Sequence, residues 1–423
     1  MRTLLAMVLA GGLAAHAGVN GVSVEKLAKA DHVRVSYTLT EDAVVTFDVL
    51  TNGAPVAAER CTSATGAVFR LVRAGSASFD WAPGGDLAGL RYGGDGAQVR
   101  VKAWPTNAPP DWMVLNLAPA KANVDVNYYE TQEQIPGSVT NKVYNRRKMI
   151  LRKIPAAQVT WRMGAPTGET GGASTLRYVT LTEDYYMGIY MVTGAQMSFM
   201  SGSALSSSCS PSTGSYLSWR GSASAEKAWP AGGHEITNET SRLYRIRDYT
   251  GIPFDLPTEA QWEFACRAGT ATALYTGENL LEATESENLD EIAWYYYNWG
   301  AIHGDPTKNG YNQKFPEVGL LKPNPWGLYD MLGSAFEWCL DWWGGFTAGE
   351  NVTDPKGPSS NANSRRVLRG GSMDQAASTC RAAYRTYNPD SYGLYSAGLL
   401  QCSDGKCVQN YTARLCCPAI AVR

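Results

Sequence analysis

Apolar and polar residues alternate in short runs over the first quarter of the chain. The runs HVRVSYTLT (32–40), AVVTFDVL (43–50) and AQVRVKAWP (97–105) have a period of two, and clusters of Gly, Asn and Asp separate such runs. A period of two places successive side chains on opposite faces of a β-strand, and the intervening residues favour turns. The pattern therefore predicts a small β-sandwich of immunoglobulin-like type over residues 18–117.

The pattern changes after this region. Residues 118–149 are polar and lose the clear alternation, so they predict a linker with one candidate strand. From Ile150 onward aromatic residues become dense, as in WYYYNWG (294–300) and EWCLDWWGG (337–345). We expect residues 150–423 to form a loop-rich domain with short strands and few helices. The predicted fold class is therefore α+β, with a β-sandwich followed by a mixed domain.

One helix has clear signals at both ends. In TEAQWEFACRAGT (258–270), Thr258 is a suitable N-cap, and Gln261 completes a capping box three residues later. Gly269 supplies a stop signal at the other end. A second short helix is predicted to begin near Thr193.

The N-terminus predicts export. The stretch MRTLLAMVLAGGLAAHAG contains one arginine, a short apolar run and the small-residue motif Ala15-His16-Ala17. This combination is typical of a secretory signal peptide, here residues 1–17. No later stretch approaches the length of about 18 apolar residues that a membrane-spanning helix needs. We expect a secreted protein that is periplasmic, extracellular or at the cell surface, without membrane insertion.

Composition excludes several kinds of function. The 423 residues carry a formal net charge of −2, which provides no field to attract nucleic acid. After signal removal only His32, His234 and His303 remain, so a multi-histidine metal cluster is not expected. The nine cysteines are an odd number, which leaves at least one free thiol or one intermolecular bond. A G-x-S-x-G nucleophile elbow and a P-loop motif are absent from the sequence.

Six segments of the C-terminal region together resemble the formylglycine-generating enzyme family, also called the sulfatase-modifying factor family. They follow the order of the family motifs: LRKIPAAQVTWRMG (151–164), YYMGIYMVTGAQM (185–197), IPFDLPTEAQWEFACRAGT (252–270), PNPWGLYDMLGSAFEWCLDWW (323–343), RVLRGGSMDQAASTCRAAYR (366–385) and YTARLCC (411–417). The resemblance covers about residues 150–423. It implies a C-type-lectin-like fold, which agrees with the loop-rich domain predicted from the sequence pattern.

The resemblance also implies a chemistry that can be checked residue by residue. Catalytic members oxidise a cysteine within C-x-P-x-R of sulfatases to formylglycine, using copper and oxygen. Their two cysteines lie three and eight residues after the serine of a G-G-S motif. Here that serine is Ser372, and Cys380 matches the second position, but Gln375 occupies the first. Copper(I) prefers thiolate ligands, so an amide at residue 375 argues against a copper site.

Calcium is the metal that the resemblance favours. LGSAFEW (332–338) is similar to the family loop that binds Ca²⁺, and the implied ligands are the Glu337 side chain and the carbonyls of Gly333 and Ala335. Asn288 is a candidate for a second calcium site. A structural role for Glu337, in a helix cap or a salt bridge, stays open.

Two functions follow from these observations. The first is a secreted, non-catalytic binding protein that contacts a protein or glycan partner through exposed loops, notably residues 201–235 and 387–410. The alternative is a copper-dependent oxidase that converts sulfatase cysteine to formylglycine with altered metal ligands. Whether the chain is an enzyme stays open at this point, and Gln375 favours the first function.

Overall fold

The computed structural model divides the chain into two compact units. The N-terminal unit contains residues up to Asn116, the segment Asp125–Asn141 and the residues from Ala419 onward, whereas the second unit contains Leu117–Val124 and Lys142–Pro418. The structure describes residues 18–27, 32–51, 53–56, 61–83, 97–117, 121, 124–172, 174–201, 206–212, 219–220, 239–302, 315–390 and 411–421. The predicted signal peptide lies outside the described residues.

The N-terminal unit is built mainly of antiparallel strands. In chain order they are β1 (Val19–Lys26), β2 (Val33–Leu39), β3 (Ala43–Thr51), β4 (Ala54–Pro55), β5 (Thr65–Gly66), β6 (Arg70–Val72), β7 (Gly75–Trp81), β8 (Ala97–Pro105), β9 (Trp112–Asn116) and β10 (Asp125–Tyr129). One sheet has the order β1-β2-β7-β5. A second sheet has the order β4-β3-β6, and β8 pairs along the whole of β3. This unit therefore has the strand-rich character that the alternating pattern predicts.

Aromatic side chains join these two sheets. The Phe47 ring on β3 lies 4.9 Å from the Phe79 ring and 5.5 Å from the Trp81 ring, both on β7. The inward positions of β2 are buried, namely Val33, Val35, Tyr37 and Leu39. Strand β3 differs from the simple alternation, because nearly all of its side chains are buried, as expected of a strand covered on both faces.

The predicted linker over residues 118–149 is corrected by the structure. Strand β10 pairs with β9 in register from Asp125 to Tyr129. The Tyr128 amide donates a hydrogen bond to the Phe69 carbonyl at 2.7 Å, and the Tyr129 ring packs on Phe69 at 5.0 Å. Residues Asp125–Asn141 therefore belong to the N-terminal unit, whereas the two ends of the predicted linker belong to the second unit.

The second unit is a mixed, loop-rich domain, as expected. Its strands are β11 (Lys148–Ile154), β12 (Val159–Met163), β13 (Arg177–Leu181), β14 (Tyr185–Gly188), β15 (Ala293–Trp294), β16 (Leu332–Gly333), β17 (Phe336–Trp342), β18 (Asn351–Thr353), β19 (Arg365–Arg369), β20 (Arg385–Pro389), β21 (Tyr411–Thr412) and β22 (Cys416–Pro418). They form the sheets β11-β14-β22, β12-β13-β18 and β20-β19-β17-β21, and the short parallel pair β15-β16.

The helices of this unit are short. They are α1 (Gly194–Ser201), α2 (Arg242–Thr250), α3 (Glu259–Arg267) and α4 (Tyr296–Ile302), with single 3₁₀ turns at Gln132–Gln134 in the N-terminal unit and at Lys142–Asn145, Glu287–Leu289 and Ala377–Thr379 in the second. Within the described ranges, none of the helices has the length and apolar character needed to cross a membrane.

Helix α3 begins where the sequence predicts. The Thr258 hydroxyl accepts a hydrogen bond from the Gln261 amide at 3.2 Å, and the Gln261 side chain accepts one from the Thr258 amide at 2.9 Å. The helix ends one residue before the predicted stop, because Ala268 already adopts the left-handed conformation. Helix α1 confirms the prediction near Thr193.

Candidate functional site

Two consecutive glycines shape the segment of residues 366–385, which contains Ser372, Gln375 and Cys380. Strand β19 leads into Gly370 and Gly371, which have φ angles of +94° and +78°. A Cβ atom on Gly371 would lie 2.7 Å from the Cys380 sulfur and 2.8 Å from the Thr379 carbonyl oxygen. A Cβ atom on Gly370 would lie 3.3 Å from the Trp262 ring. Both positions therefore require glycine, for conformation and for space.

A tight turn follows the two glycines. The Gln375 amide donates to the Ser372 carbonyl at 3.0 Å, and the Ser372 hydroxyl donates to the Asp374 carboxylate. The Gln375 side-chain amide also reaches the Asp374 carboxylate, at 3.4 Å. The turn then continues into the 3₁₀ turn that precedes Cys380. Thus Ser372 and Gln375 are both engaged with one neighbouring carboxylate.

Cys380 lies at the centre of this segment and is fully buried. Its sulfur lies 3.8 Å from the Thr379 hydroxyl oxygen. Burial raises the pKa of the Cys380 thiol to about 12, although hydrogen bonds from Thr379 and from the backbone of Ser372 and Gly333 partly oppose the shift. The thiol is therefore protonated at neutral pH and is a poor nucleophile and metal ligand in this form. The structure brings Ser372 and Cys380 together, as the resemblance implies.

The other described cysteines of the second unit are also buried free thiols. Cys209, Cys266, Cys339, Cys416 and Cys417 are free and buried, like Cys380. Across the described ranges, no group of three or more His, Cys, Asp or Glu side chains is arranged to hold a metal ion. The pair Cys402 and Cys407, and two of the three remaining histidines, His234 and His303, lie outside the described residues.

Glu337 forms a buried ion pair with Arg414. Arg414 donates to both carboxylate oxygens, with nitrogen–oxygen distances of 2.9 and 3.2 Å. The Trp262 indole N–H donates to the same carboxylate at 2.9 Å. Arg414 also donates to the carbonyls of Tyr329 and Gly188, at 2.7 and 2.9 Å. Since Glu337 and Arg414 are almost completely buried, this is the salt-bridge role that the sequence left open.

These contacts do not fit a calcium ion at the predicted loop. Calcium binds six to eight oxygen ligands and favours uncompensated carboxylates. The charge of Glu337 is already neutralised by Arg414. Ala335 is buried beside them, and its carbonyl would add only one neutral ligand. Calcium at Glu337, Gly333 and Ala335 stays a prediction that the side-chain contacts do not support.

Asn288, the candidate for a second calcium site, takes part in a local turn. Its side-chain oxygen Oδ1 accepts a hydrogen bond from the Ser286 hydroxyl at 2.7 Å. Its side-chain amide donates to the Asn279 carbonyl at 2.6 Å. Both polar atoms of the Asn288 side chain thus have protein partners, which is the pattern of a turn-stabilising asparagine. Its calcium role also stays a prediction.

The two glutamates of helix α3 are structural ion-pair members. Glu259 forms a two-point contact with Arg385, at 2.7 Å for both oxygens. Glu263 pairs with Arg267 and Arg369. Burial works to raise the pKa of Glu263, but the two arginines outweigh it and hold the pKa below its usual value. A carboxylate fixed in the ionised form by two guanidinium groups is poorly suited to proton transfer.

Asp341 is an unusual buried acid that the sequence analysis missed. One of its carboxylate oxygens accepts the Glu259 amide hydrogen bond at 2.7 Å, at the start of helix α3. The other oxygen is buried without a hydrogen-bond partner in the described residues. Burial, and next the nearby Glu259 carboxylate, raises the pKa of Asp341 to about 7. Only the three-dimensional pairing reveals this residue, because EWCLDWW has no signal for burial of a charge.

Exposed tyrosines border the turn that contains Gln375. The Tyr296 amide donates to the Gln375 carbonyl at 3.0 Å, which fixes helix α4 beside the turn. Tyr296 and Tyr297 are each 37% exposed, and their rings contact edge to face at 5.0 Å. Met373 packs inward against Trp294 in a buried cluster. We call Tyr296 and Tyr297 the tyrosine face.

The two loops predicted to contact a partner lie largely outside the described residues. Of residues 201–235 the structure describes 201, 206–212 and 219–220, and of residues 387–410 it describes 387–390. The described part of the first loop includes a hydrogen bond of 2.8 Å from the Ser210 hydroxyl to the Phe315 carbonyl. The predicted role of these loops stays a prediction.

The second unit matches a known family by sequence. Residues 153–398, more than half of the chain, match the sulfatase-modifying factor enzyme 1-like domain. The chain therefore belongs to this family, whose C-type-lectin-like fold agrees with the loop-rich α+β architecture of the second unit. The order of the six sequence motifs and the glycine-dependent turn before Cys380 are consistent with this membership.

Comparison with individual proteins gives similarities over a limited length. The chain is 36% identical to the formylglycine-generating enzyme of Bos taurus over 142 residues, which are 32% of this chain and 35% of that one. It is 37% identical to the formylglycine-generating enzyme of Thermomonospora curvata over 149 residues, which are 33% of this chain and 46% of that one. Among solved structures, Treponema denticola variable protein 1 is 22% identical, with a TM-score of 0.43 and coverage of 64% of this chain and 95% of that chain. The chain thus matches less than half the length of the two formylglycine-generating enzymes.

Proposed function

We propose that the protein is a non-catalytic binding protein built on a formylglycine-generating-enzyme-type domain. One observation carries the proposal. The turn that would supply two thiols contains one, the fully buried Cys380, and Gln375 stands at the position of the other. A soft copper(I) ion favours a pair of thiolates, which one protonated thiol and one amide do not provide.

The exposed tyrosine face supports a binding role. Tyrosine supplies a large apolar ring with a polar end, and it is enriched at protein interfaces. Tyr296 and Tyr297 lie directly beside the turn that contains Gln375. A protein or glycan partner could stack on these rings without reaching the buried Cys380. The binding role would then use the rim of the turn and not its thiol.

We infer further that the protein is exported and that its N-terminal unit is an immunoglobulin-like sandwich acting as a spacer or docking module. The signal-like sequence of residues 1–17 supports export. The two antiparallel sheets that meet through Phe47, Phe79 and Trp81 support the sandwich. N-terminal sequencing of protein recovered from outside the cytoplasm should begin at Gly18, whereas an intact Met1 would contradict the export proposal.

Copper(I) titration combined with peptide turnover tests the catalytic question. Wild-type protein, Cys380→Ser, Gln375→Cys and the double variant Gln375→Cys/Cys380→Ser are titrated with copper(I) against a colorimetric chelator, and a C-x-P-x-R peptide is assayed for aldehyde formation. We expect no thiol-dependent copper binding and no aldehyde with the wild type. Gln375→Cys should gain copper affinity, and Cys380→Ser should remove that gain. Aldehyde formation by the wild type, lost in Cys380→Ser, would overturn the proposal and favour the oxidase.

A further inference from the structure

A cleft of about 420 Å³ opens on the second unit, and Cys380 is not among its lining residues. Pro323 and Pro325 are the more accessible apolar residues of its lining, whereas Tyr275 and Ile292 are almost completely buried. Its charged lining consists of Glu278, Glu287, Glu291 and Lys322. The cleft thus combines apolar walls with three carboxylates and one ammonium group, which is a suitable environment for the stem and the head of a long cationic side chain.

The cleft lies in a strongly acidic part of the chain. The stretch TGENLLEATESENLDEI (276–292) contains six carboxylates and no lysine or arginine. In this stretch Glu291 forms an ion pair with Lys322, and both side chains are about two-thirds exposed. Glu278 and Glu287 are exposed and form no ion pair with any part of the chain that the structure describes. Within the described ranges, the cleft therefore keeps uncompensated negative charge.

An exposed apolar side chain lies within the acidic stretch. Leu281 is 65% exposed. The carbonyls of Ala283 and Thr284 accept hydrogen bonds from the amides of Ser378 and Ala377, at 2.7 and 3.0 Å. This contact places the acidic stretch directly beside the turn of residues 372–380. That turn is bordered on another side by the tyrosine face, so acidic and apolar groups surround a single turn.

We propose that this surface docks a basic, amphipathic segment of a protein partner. Lysine or arginine side chains would lie along Pro323 and Pro325 with their heads at Glu278 and Glu287, and apolar side chains of the same segment would cover Leu281. Charge complementarity selects this partner, because acidic partners such as nucleic acid or anionic membranes are repelled by the same carboxylates. The inference rests on the proposed binding function and specifies the chemistry of the partner.

The test uses fluorescence anisotropy with a short labelled peptide of alternating lysine and leucine. A peptide with glutamate in place of lysine is the control probe. Glu278→Gln/Glu287→Gln removes the two unpaired cleft charges. Glu183→Gln/Glu239→Gln makes the same charge change at exposed acids elsewhere on the unit and is the control variant. We expect the cleft variant to bind the lysine peptide about fivefold more weakly at low salt, with little change in the control variant.

Added salt and a substitution of Leu281 distinguish the charged contribution to binding from the apolar contribution. Added salt should weaken lysine-peptide binding to the wild type and abolish its difference from the cleft variant, because salt screens exposed charges. Leu281→Ser should weaken binding at both salt concentrations. Absence of lysine-peptide binding, equal binding of the glutamate peptide, or equal losses in the two charge variants would each overturn the inference. The copper and aldehyde assay judges the non-catalytic proposal separately, so either can fail while the other stands.

Discussion

Removing the charge of Glu337 provides a direct test of how the family fold is held together. Glu337→Gln leaves the Arg414 guanidinium fully buried beside an uncharged amide. Loss of one member of a buried ion pair costs about 3–5 kcal/mol of the free energy of unfolding, because the remaining charge is uncompensated. Glu317→Gln is the matched control, since Glu317 pairs with Lys142 at the surface and its loss should cost at most about 1 kcal/mol.

A double-mutant cycle gives the magnitude that belongs to the pair itself. Arg414→Met alone should destabilise to a similar extent as Glu337→Gln. The double variant should lose at least about 2 kcal/mol less than the sum of the single losses, because no uncompensated charge remains. Some loss persists, since the carbonyls of Tyr329 and Gly188 lose the donor that Arg414 provides. Urea unfolding followed by tryptophan fluorescence measures these values, and additive losses would refute the reasoning.

The same variants decide the calcium prediction. If Glu337 binds Ca²⁺, then calcium should raise the melting temperature of the wild type and have no such effect on Glu337→Gln. If Glu337 serves Arg414 alone, both proteins should respond equally to calcium. The observed ion pair leads us to expect the second result. A calcium-dependent rise that disappears only in Glu337→Gln would show that the metal displaces or shares the arginine contact.

Three further outcomes follow from the buried groups of the second unit. Burial raises the pKa of Asp341 to about 7, so the folded protein keeps a proton that the unfolded chain releases above about pH 4. The contribution of Asp341 to the free energy of unfolding should therefore fall as pH rises from about 4 to 7, and Asp341→Asn should remove this contribution from denaturation curves recorded across this range. Gly371→Ala should cost about 2–5 kcal/mol because of its positive φ and its contact with a buried sulfur, whereas Gly349→Ala, also at positive φ but in open space, should cost about 1–2 kcal/mol in the same unfolding assay. Cys380 and Cys266, whose pKa values burial raises to about 12, should resist a chromogenic thiol reagent in the native protein and react after denaturation; fast native reaction that Cys380→Ser removes would contradict its burial.

Local signals allowed the parts of the fold that depend on neighbouring residues to be predicted. Helix α3 follows from a capping box contained within four residues, and the N-terminal strands follow from their alternation. Helix α2 was missed although Ser241 caps its start and Gly251 its end. Its residues RLYRIRDYT mix charges with few apolar positions, so the helical period is weak, and packing of Leu243 and Ile246 into the core provides the missing stabilisation.

Contacts between distant residues could not be predicted in the same way. Glu337 and Arg414 are 77 residues apart, and the acid could equally have been a metal ligand until its partner was located. The burial of Asp341 also depends on where helix α3 begins, 82 residues earlier. By contrast, the spacing from Ser372 alone was enough to place Gln375 at the position where the family resemblance expects the first cysteine. The candidate chemistry was therefore readable from the sequence, whereas the electrostatic support of the site was not.

The structure also explains how this family fold tolerates glutamine at the decisive position. The backbone of Gln375 holds the turn, through its amide bond to Ser372 and its carbonyl bond from Tyr296, while its side chain makes one long contact with Asp374. The glycines and the ion pairs that shape the segment do not involve the residue 375 side chain. Gln375→Cys should consequently leave stability nearly unchanged while changing copper affinity. Because the turn folds without a second thiol, the proposed non-catalytic binding role requires no rearrangement of the segment that carries Cys380.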